Sequence, residues 1–350
     1  MIFVGDIALP SMINPEIIPK SRIKEGIPVI ANLEGPIVTH ENESIEKKIC
    51  FNSEKVVDFL IECGVKIVSL ANNHMFDIPG SIKYTKDQLE KNNILNFGAG
   101  KSFEDASKML LFDINGNKII FLAFGWEVIG CKPANRNSEG VNSLKVQHVF
   151  NSVKRARKRY PNDYVVIFMH WGYELEKYPL PMHRQLAHEL IDIGVNAIIG
   201  CHSHCIQGVE IYKESPIVYG LGNWYFPQKV YFNGRISFPP YSYDQLAFEW
   251  VPWENNKMVC HHYRYVPEPN HRVEFVSSDQ LSSSSLIKNT TPYAGMPHKE
   301  YIRWFKKNRI KRKILPIYKN FNDIAGNWFR DRFNSVRDHA INALISLKVK

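Results

Sequence analysis

The apolar positions of this chain fall into short β-branched runs separated by polar stretches with helical spacing. Val65-Lys66-Ile67-Val68-Ser69-Leu70, Val165-Val166-Ile167-Phe168, Val195-Asn196-Ala197-Ile198-Ile199 and Pro216-Ile217-Val218-Tyr219 are bounded by Gly or polar residues. Runs of this kind read as buried strands. Residues 1–9 and Val29-Ile30-Ala31-Asn32-Leu33 predict two more, and segments 245–251 and 258–266 close the body. Helices are expected at 54–63 (Val56, Val57, Leu60 and Ile61 on one side), 80–94, 143–160 and 181–193. Asn115-Gly116, between apolar runs at 109–114 and 118–125, is a strong hairpin signal. The Pro-rich stretch 10–28 reads as a loop and Asn96-Phe97-Gly98-Ala99-Gly100 as a turn, since it lacks a full phosphate-binding pattern. Strands alternating with helices predict an α/β fold, in which ligands bind at strand ends.

Chemistry-bearing residues recur at those ends. Met169-His170-Trp171-Gly172 and Gly200-Cys201-His202-Ser203-His204 each follow a predicted strand. In extended backbone His202 and His204 point to one side, and two neutral imidazoles converging on a point are a natural metal pair. Hydrogen-bonded loop histidines are the alternative. Asp6 ends the first strand in Val4-Gly5-Asp6, as a metal or phosphate ligand or as a turn cap. Glu34 follows the second strand, where burial without a partner is costly and a cation is the simplest remedy; an exposed strand-end Glu is the other reading. Ala71-Asn72-Asn73-His74-Met75-Phe76-Asp77 ends a third strand. There an Asn carbonyl serves hard or borderline cations, His74 is free for proton transfer, and Asp77 can fix its tautomer. An Asn-rich turn is the alternative.

Composition adds little except at the C-terminal end. The 350 residues suffice for one large domain or two. Net charge is +9, but residues 270–350 hold 16 basic and 6 acidic residues, a net +10, leaving the rest at −1. Six cysteines with no Cys-x-x-Cys pair predict free thiols in a reducing compartment. No signal peptide is recognised, and no apolar run approaches the roughly 18 residues that span a bilayer. A cytoplasmic, non-spanning protein is expected.

Residues 299–350 mix basic and aromatic residues. Apolar positions 321, 324, 328, 333, 336, 340, 344 and 347 follow a helical stripe, with a shorter basic helix before Pro316 carrying Lys306-Lys307, Arg309 and Lys311-Arg312-Lys313. Such a helix lies on an anionic membrane surface or packs its stripe on the body. The Ser/Thr-rich stretch 278–292 reads as a linker, giving a domain at 1–267 and a linker with a basic amphipathic tail at 268–350. No nucleic-acid-binding motif is present, so no nucleic-acid partner is expected.

Taken in order, Gly5-Asp6, Asn32-Leu33-Glu34-Gly35-Pro36, Ala71-Asn72-Asn73-His74 with Asp77, His170-Trp171-Gly172-Tyr173-Glu174, Gly200-Cys201-His202-Ser203-His204 and Gly220-Leu221-Gly222-Asn223-Trp224 resemble the bacterial capsule-synthesis CapA (poly-γ-glutamate capsule) family. That family is a branch of the calcineurin-like metallophosphoesterase superfamily. The resemblance covers about residues 1–267 and implies a four-layer α/β/β/α sandwich with one or two divalent metals, Mn, Fe, Zn or Mg, at strand ends. By resemblance Asp6, Glu34, Asn73, His170, His202 and His204 match metal-binding positions, and His74 the position that protonates a leaving group. Asp77 matches a position beside it, while Glu174 and Asn223 match positions supporting the site. Two departures matter. Ile7-Ala8 follow Asp6 where hydrolytic relatives have Asp-x-His, and Glu34 stands for a metal-bridging Asp, leaving one metal position in question. Cys201, beside the pair, is a soft extra ligand or a buried structural thiol. The resemblance implies a metal-dependent phosphoesterase-type hydrolase acting on a phosphoester or anionic polymer in capsule or extracellular-polymer synthesis. The alternative is a non-catalytic accessory component of a polymer-synthesis complex.

Overall fold

The computed structural model describes residues 1–14, 26–44, 49–268, 271–310 and 315–346. Most of the expected Pro-rich loop, the run Lys311-Arg312-Lys313 and stripe position 347 lie outside them.

In chain order the first half contains β1 (Ile2–Ile7), β2 (Val29–Leu33), β3 (Ile37–Val38), β4 (Asn52–Ser53), α1 (Lys55–Glu62), β5 (Val65–Ser69), α2 (Ser81–Lys91), β6 (Leu95–Phe97), β7 (Ala99–Gly100) and α3 (Phe103–Ala106). A hairpin of β8 (Leu110–Ile114) and β9 (Asn117–Gly125) follows, turning at Asn115 and Gly116, both with positive φ. Then come β10 (Gly140–Val141), α4 (Val146–Arg159), β11 (Tyr164–His170), α5 (Pro181–Asp192), β12 (Ala197–Cys201), β13 (Ile206–Tyr212), β14 (Ser215–Leu221) and β15 (Asn223–Tyr225). The chain ends with β16 (Asp244–Val251), β17 (Lys257–Val266), β18 (Arg272–Gln280), α6 (Ser285–Thr290), α7 (His298–Asn308) and α8 (Ile324–Ser346).

These strands build two main sheets. The first is ordered β18-β17-β16-β1-β2-β5-β6, with β15 also paired to β1. Its β1, β2, β5 and β6 are mutually parallel, and β16 to β18 add antiparallel strands. The second is ordered β13-β14-β12-β11-β9-β8, parallel in its centre and antiparallel at both edges. Strand β11 shows why they stack. Val166 and Phe168 enter the core shared with the first sheet, where Phe168 meets Phe3 edge-on at 5.8 Å. Val165, Ile167 and Met169, pointing the other way by the period of two, pack with α4 and α5 residues such as Val149, Val153, Leu186 and Leu190. Helices α1 and α2 lean on β5 and β6 of the first sheet. The result is the expected four-layer α/β/β/α sandwich.

Several local expectations change. The run 96–100, expected as a turn, is extended because β6 pairs with β5 and β7 with β10. The expected linker at 278–292 is ordered: β18 reaches Gln280 on the first sheet, and α6 packs on β13. Chain beyond 267 thus continues the body, and Tyr293, Tyr301 and Phe305 are buried in the outer cluster of the second sheet.

A buried ion pair fastens that return. Arg184 of α5 donates from Nε to Glu210 Oε2 at 2.9 Å and from a terminal nitrogen to the Met296 carbonyl at 2.8 Å. Glu210 also accepts from Tyr219 at 2.8 Å and from the Gly295 amide at 3.2 Å. Burial alone would raise the Glu210 carboxyl; His188 and Arg184 outweigh it and hold it at about 2. Removing one partner strands the other charge in the interior. Arg184→Met is expected to lower unfolding free energy by about 3–5 kcal/mol in urea titration, while the exposed Lys213→Met leaves the urea midpoint essentially where it is in the parent.

Candidate metal centre

Every strand expected to deliver a functional residue does so at the same end of the sandwich. Asp6 lies near the end of β1, Glu34 just past β2, Asn73 and His74 in the turn after β5, and His170 at the last position of β11. His202 and His204 follow β12, which ends at Cys201 in register with His170. Close backbone approach makes this convergence achievable. A Cβ on Gly5 would sit 1.8 Å from the Gly222 carbonyl, and one on Gly200 would sit 2.0 Å from the Tyr219 carbonyl.

The His pair converges differently from the extended arrangement expected. His202 has φ of +91° and His204 of +53°. Left-handed backbone is unfavourable for such residues, and its cost is held by surrounding contacts. Here the His202 amide donates to Asp6 Oδ2 at 3.2 Å, and His204 Nδ1 bonds Asn223 Oδ1 at 2.8 Å. Because that amide oxygen can only accept, Nδ1 is the donor and Nε2 is the nitrogen left to face the site. That nitrogen lies 3.8 Å from Glu34 Oε1. Asn223, matched by resemblance to a supporting position, thus touches His204 directly.

The six positions matched to metal ligands form one continuous group. His204 is 3.5 Å from Asp6 Oδ2, the His170 and His202 rings are 4.8 Å apart, and His170 Nε2 bonds Asn73 Oδ1 at 2.7 Å. Glu34, His202 and His204 bring ligand atoms within 4.8 Å of one another, a set able to hold a metal ion. Asp6 differs in its commitments: Oδ1 accepts from Asn32 Nδ2 at 2.8 Å, and Oδ2 receives the His202 amide. Cys201 is buried, with its thiol pushed well up by desolvation and then by Asp6, as suits a structural thiol more than a ligand.

Burial creates an unmet charge requirement here. Among the described residues, both Glu34 carboxylate oxygens are buried without a hydrogen-bond partner, as are Nδ1 of His170 and Nδ1 of His202. Desolvation, then the Asp6 and Glu174 carboxylates, push the Glu34 carboxyl well above its ordinary range. Desolvation raises Asp6 too, although His204 and Asn32 oppose it. Burial holds His170 well below its usual value and His202 at about 3, so both rings are neutral and offer lone pairs. Neutral imidazoles cannot balance buried carboxylates. A divalent cation can, and oxygen with imidazole donors are ligands it accepts.

His74 sits at the rim. Its Nδ1 bonds Asp77 Oδ2 at 2.6 Å, and Asp77 is fixed by the Cys50 amide at 2.8 Å. The opposite ring nitrogen points toward Glu34, 3.9 Å from Oε1. A cavity of about 350 Å³ opens over this edge, lined by Asn73, His74, Asp77, Glu174 and His202, and on its far side by Asn334, Asp338 and Ile341 of α8.

Sequence reasoning missed two groups. Asn32 and Asn72 act as internal clamps: Asn72 donates to the Leu33 carbonyl at 2.7 Å and accepts from the Gly35 amide at 3.2 Å, fixing the Glu34 turn. Both stand inside the recognised motifs, which was the available signal. The lining residues of α8 had none.

A family model described as bacterial capsule synthesis protein PGA_cap matches residues 20–228. The chain is 31% identical over 209 residues to the capsule biosynthesis protein CapA of Bacillus anthracis, covering 57% of this chain and 50% of that protein. It is 32% identical over 206 residues to the PGA biosynthesis protein CapA of Bacillus subtilis, covering 57% and 53%. A probable polyglutamine synthesis accessory protein of Mycobacterium tuberculosis is 28% identical over 206 residues, covering 55% and 54%. The chain spans about half the length of these relatives. Among solved structures, a 5'-nucleotidase precursor from Thermus thermophilus shares 14% identity at a TM-score of 0.35, covering 80% of this chain and 50% of that one.

Because a protonated Glu34 resembles glutamine in shape and charge, Glu34→Gln is expected to keep metal-free stability within about 1 kcal/mol of the parent. Saturating Mn²⁺ or Zn²⁺ should stabilise the parent by about 2.7 kcal/mol at a hundredfold excess over Kd and leave the variant unmoved, as read by calorimetric melting.

Proposed function

This chain belongs to the bacterial capsule synthesis (PGA_cap) family, and we propose that it is a metal-dependent hydrolase of phosphoesterase type serving capsule or extracellular-polymer synthesis. The observation that carries the reading is the buried Glu34 carboxyl grouped with the His202 and His204 imidazoles, with the oriented His74–Asp77 pair at its edge. Glu34, His202 and His204 would hold one divalent cation, and His170 with Asn73 would extend the set toward a second. The mixture of imidazole and carboxylate donors favours Mn, Fe or Zn over Mg. When bound, such a cation supplies Lewis-acid stabilisation of charge developing on a phosphoryl group under attack by water.

The chain's own residues supply the rest. Asp77 accepts the Nδ1 proton of His74 and holds the ring in one orientation. His74 in its protonated form then carries a proton on Nε2, aimed at the site, ready for the departing oxygen of a phosphoester. Glu174 lines the same cavity and keeps its potential negative, which favours the cation. The substrate class is a phosphomonoester or phosphodiester, free or carried on an anionic polymer precursor. All six cysteines are buried and none is joined in a disulfide, which supports a cytoplasmic placement.

One observation favours the accessory reading instead. Ala8, where hydrolytic relatives carry a ligand His, is fully buried in an apolar cluster with Val38, Phe51 and Phe226. That position offers no donor, so the pocket would hold one cation and bind an anionic polymer without cleaving it.

Turnover of bis(p-nitrophenyl) phosphate separates the two. The hydrolase reading expects metal-dependent turnover that falls by about 10²–10⁴ in His74→Ala, with metal content by elemental analysis unchanged. Metal-loaded parent protein with no turnover on mono- or diesters would establish the accessory role.

A further inference from the structure

Helix α8 reverses the usual arrangement of an amphipathic helix on a globular body. Positions 327, 331, 334, 338 and 341, spaced by four and three, form one stripe that faces the protein. Asn334 is 3% exposed and donates to the Tyr173 hydroxyl at 3.2 Å and the Tyr318 hydroxyl at 3.1 Å. Tyr318 donates to Asp331 at 2.7 Å, and Asn327 Nδ2 donates to the Asn320 carbonyl at 2.8 Å. Asn334, Asp338 and Ile341 reach the cavity over the metal centre. These directional bonds fix the rotation of the helix, and they fix it with the polar stripe inward.

The apolar residues consequently face out. Phe329 is 68% exposed, Phe333 49% and Val336 69%, with Leu344 further along the same face and Trp328 at its edge. At 100° per residue, Arg332 borders this face on one side, and Arg330 and Arg337 border it on the other. The Arg332 guanidinium lies 5.3 Å over the Trp328 ring. Exposed apolar faces rimmed by polar residues mark contact surfaces. Charge favours an anionic occupant through the C-terminal chain as a whole: residues 270–350 carry a net +10, of which α8 supplies Arg330, Arg332 and Arg337 against Asp331 and Asp338, with Arg330 paired to Asp323 and Arg337 to Asp338, both at 2.8 Å. A negatively charged surface complements both features, and aromatic faces bordered by Arg suit the headgroup–acyl boundary. No described helix is long and apolar enough to cross a membrane, so the contact is with the surface.

We propose that the outer face of α8 docks the protein on an anionic bilayer. The helix is also the outer wall of the cavity, so docking holds the candidate site about one helix diameter, 10–12 Å, from the lipid surface. An anionic group borne at that surface then reaches the metal centre from beside the helix.

The test uses the full chain and sucrose-loaded vesicles of phosphatidylglycerol and phosphatidylcholine in equal parts, against phosphatidylcholine alone. Sedimentation should show binding to the anionic vesicles that weakens with added salt. Phe329→Ser/Phe333→Ser should lower the partition coefficient roughly a hundredfold without changing the melting temperature, because both side chains are exposed. Arg332→Glu should weaken binding to the anionic vesicles only. Absence of binding, or binding undiminished in the double variant, would overturn the proposal. So would a solution dimer that the double variant dissolves, since a second copy would then own the face. The readout involves no turnover, so its result is independent of whether the pocket is catalytic.

Discussion

A carboxylate placed in the interior with nothing to neutralise it is the constraint on which this site depends. Glu34 is fully buried, its oxygens find no hydrogen-bond donor among the described residues, and desolvation holds the nearby His170 and His202 rings neutral. Ionised without a partner, Glu34 would be among the most costly features a fold can carry, and burial accordingly pushes its carboxyl well above the ordinary range. Asp6 shows what relief looks like when the protein supplies it, because Asn32 and the His202 amide occupy its oxygens. The two carboxylates have divided roles. Asp6 organises the loop carrying the imidazoles, and Glu34 remains open to a cation.

The sandwich makes that division achievable. Parallel strands in the centre of both sheets end at one edge, so residues distant in sequence meet there without long connections. The approach is tight enough that Gly5 and Gly200 leave no room for a side chain. At the same edge His202 and His204 occupy left-handed backbone, a strain of about 1–3 kcal/mol each. The Asp6–amide bond and the Asn223–imidazole bond offset it. Strain concentrated on these two imidazole-bearing residues, and braced by buried polar partners, is characteristic of a preorganised site.

The C-terminal chain is part of that organisation. The Arg184–Glu210 pair and the buried Tyr293, Tyr301 and Phe305 bring it back over the second sheet, and α8 then spans the mouth of the cavity. Its polar stripe finds tyrosine and asparagine partners on the body that its apolar stripe could not use. Hydrogen-bond satisfaction at a few buried atoms outweighs the general tendency to bury the apolar face, because each unmet polar atom in that contact carries its full desolvation cost.

By itself the sequence determined the alternation of strands and helices, the strand-end placement of Asp6, Glu34, Asn73, His74, His170, His202 and His204, and the family. Those features are local, written in hydrophobic period and short motifs, so they could be read without knowing what packs against what. Sequence spacing misjudged the backbone of the His pair, because Asp6 and Asn223, far away in the chain, stabilise a conformation that propensity disfavours. It also misjudged 96–100 and 278–292, where pairing with distant strands and packing on β13 order chain that looks like turn and linker. The tail's amphipathic pattern was legible, but not which stripe would face inward. Only the tertiary structure decided that, because the answer rests on whether Tyr173 and Tyr318 stand opposite Asn334, and no local pattern records a partner met only in the folded state.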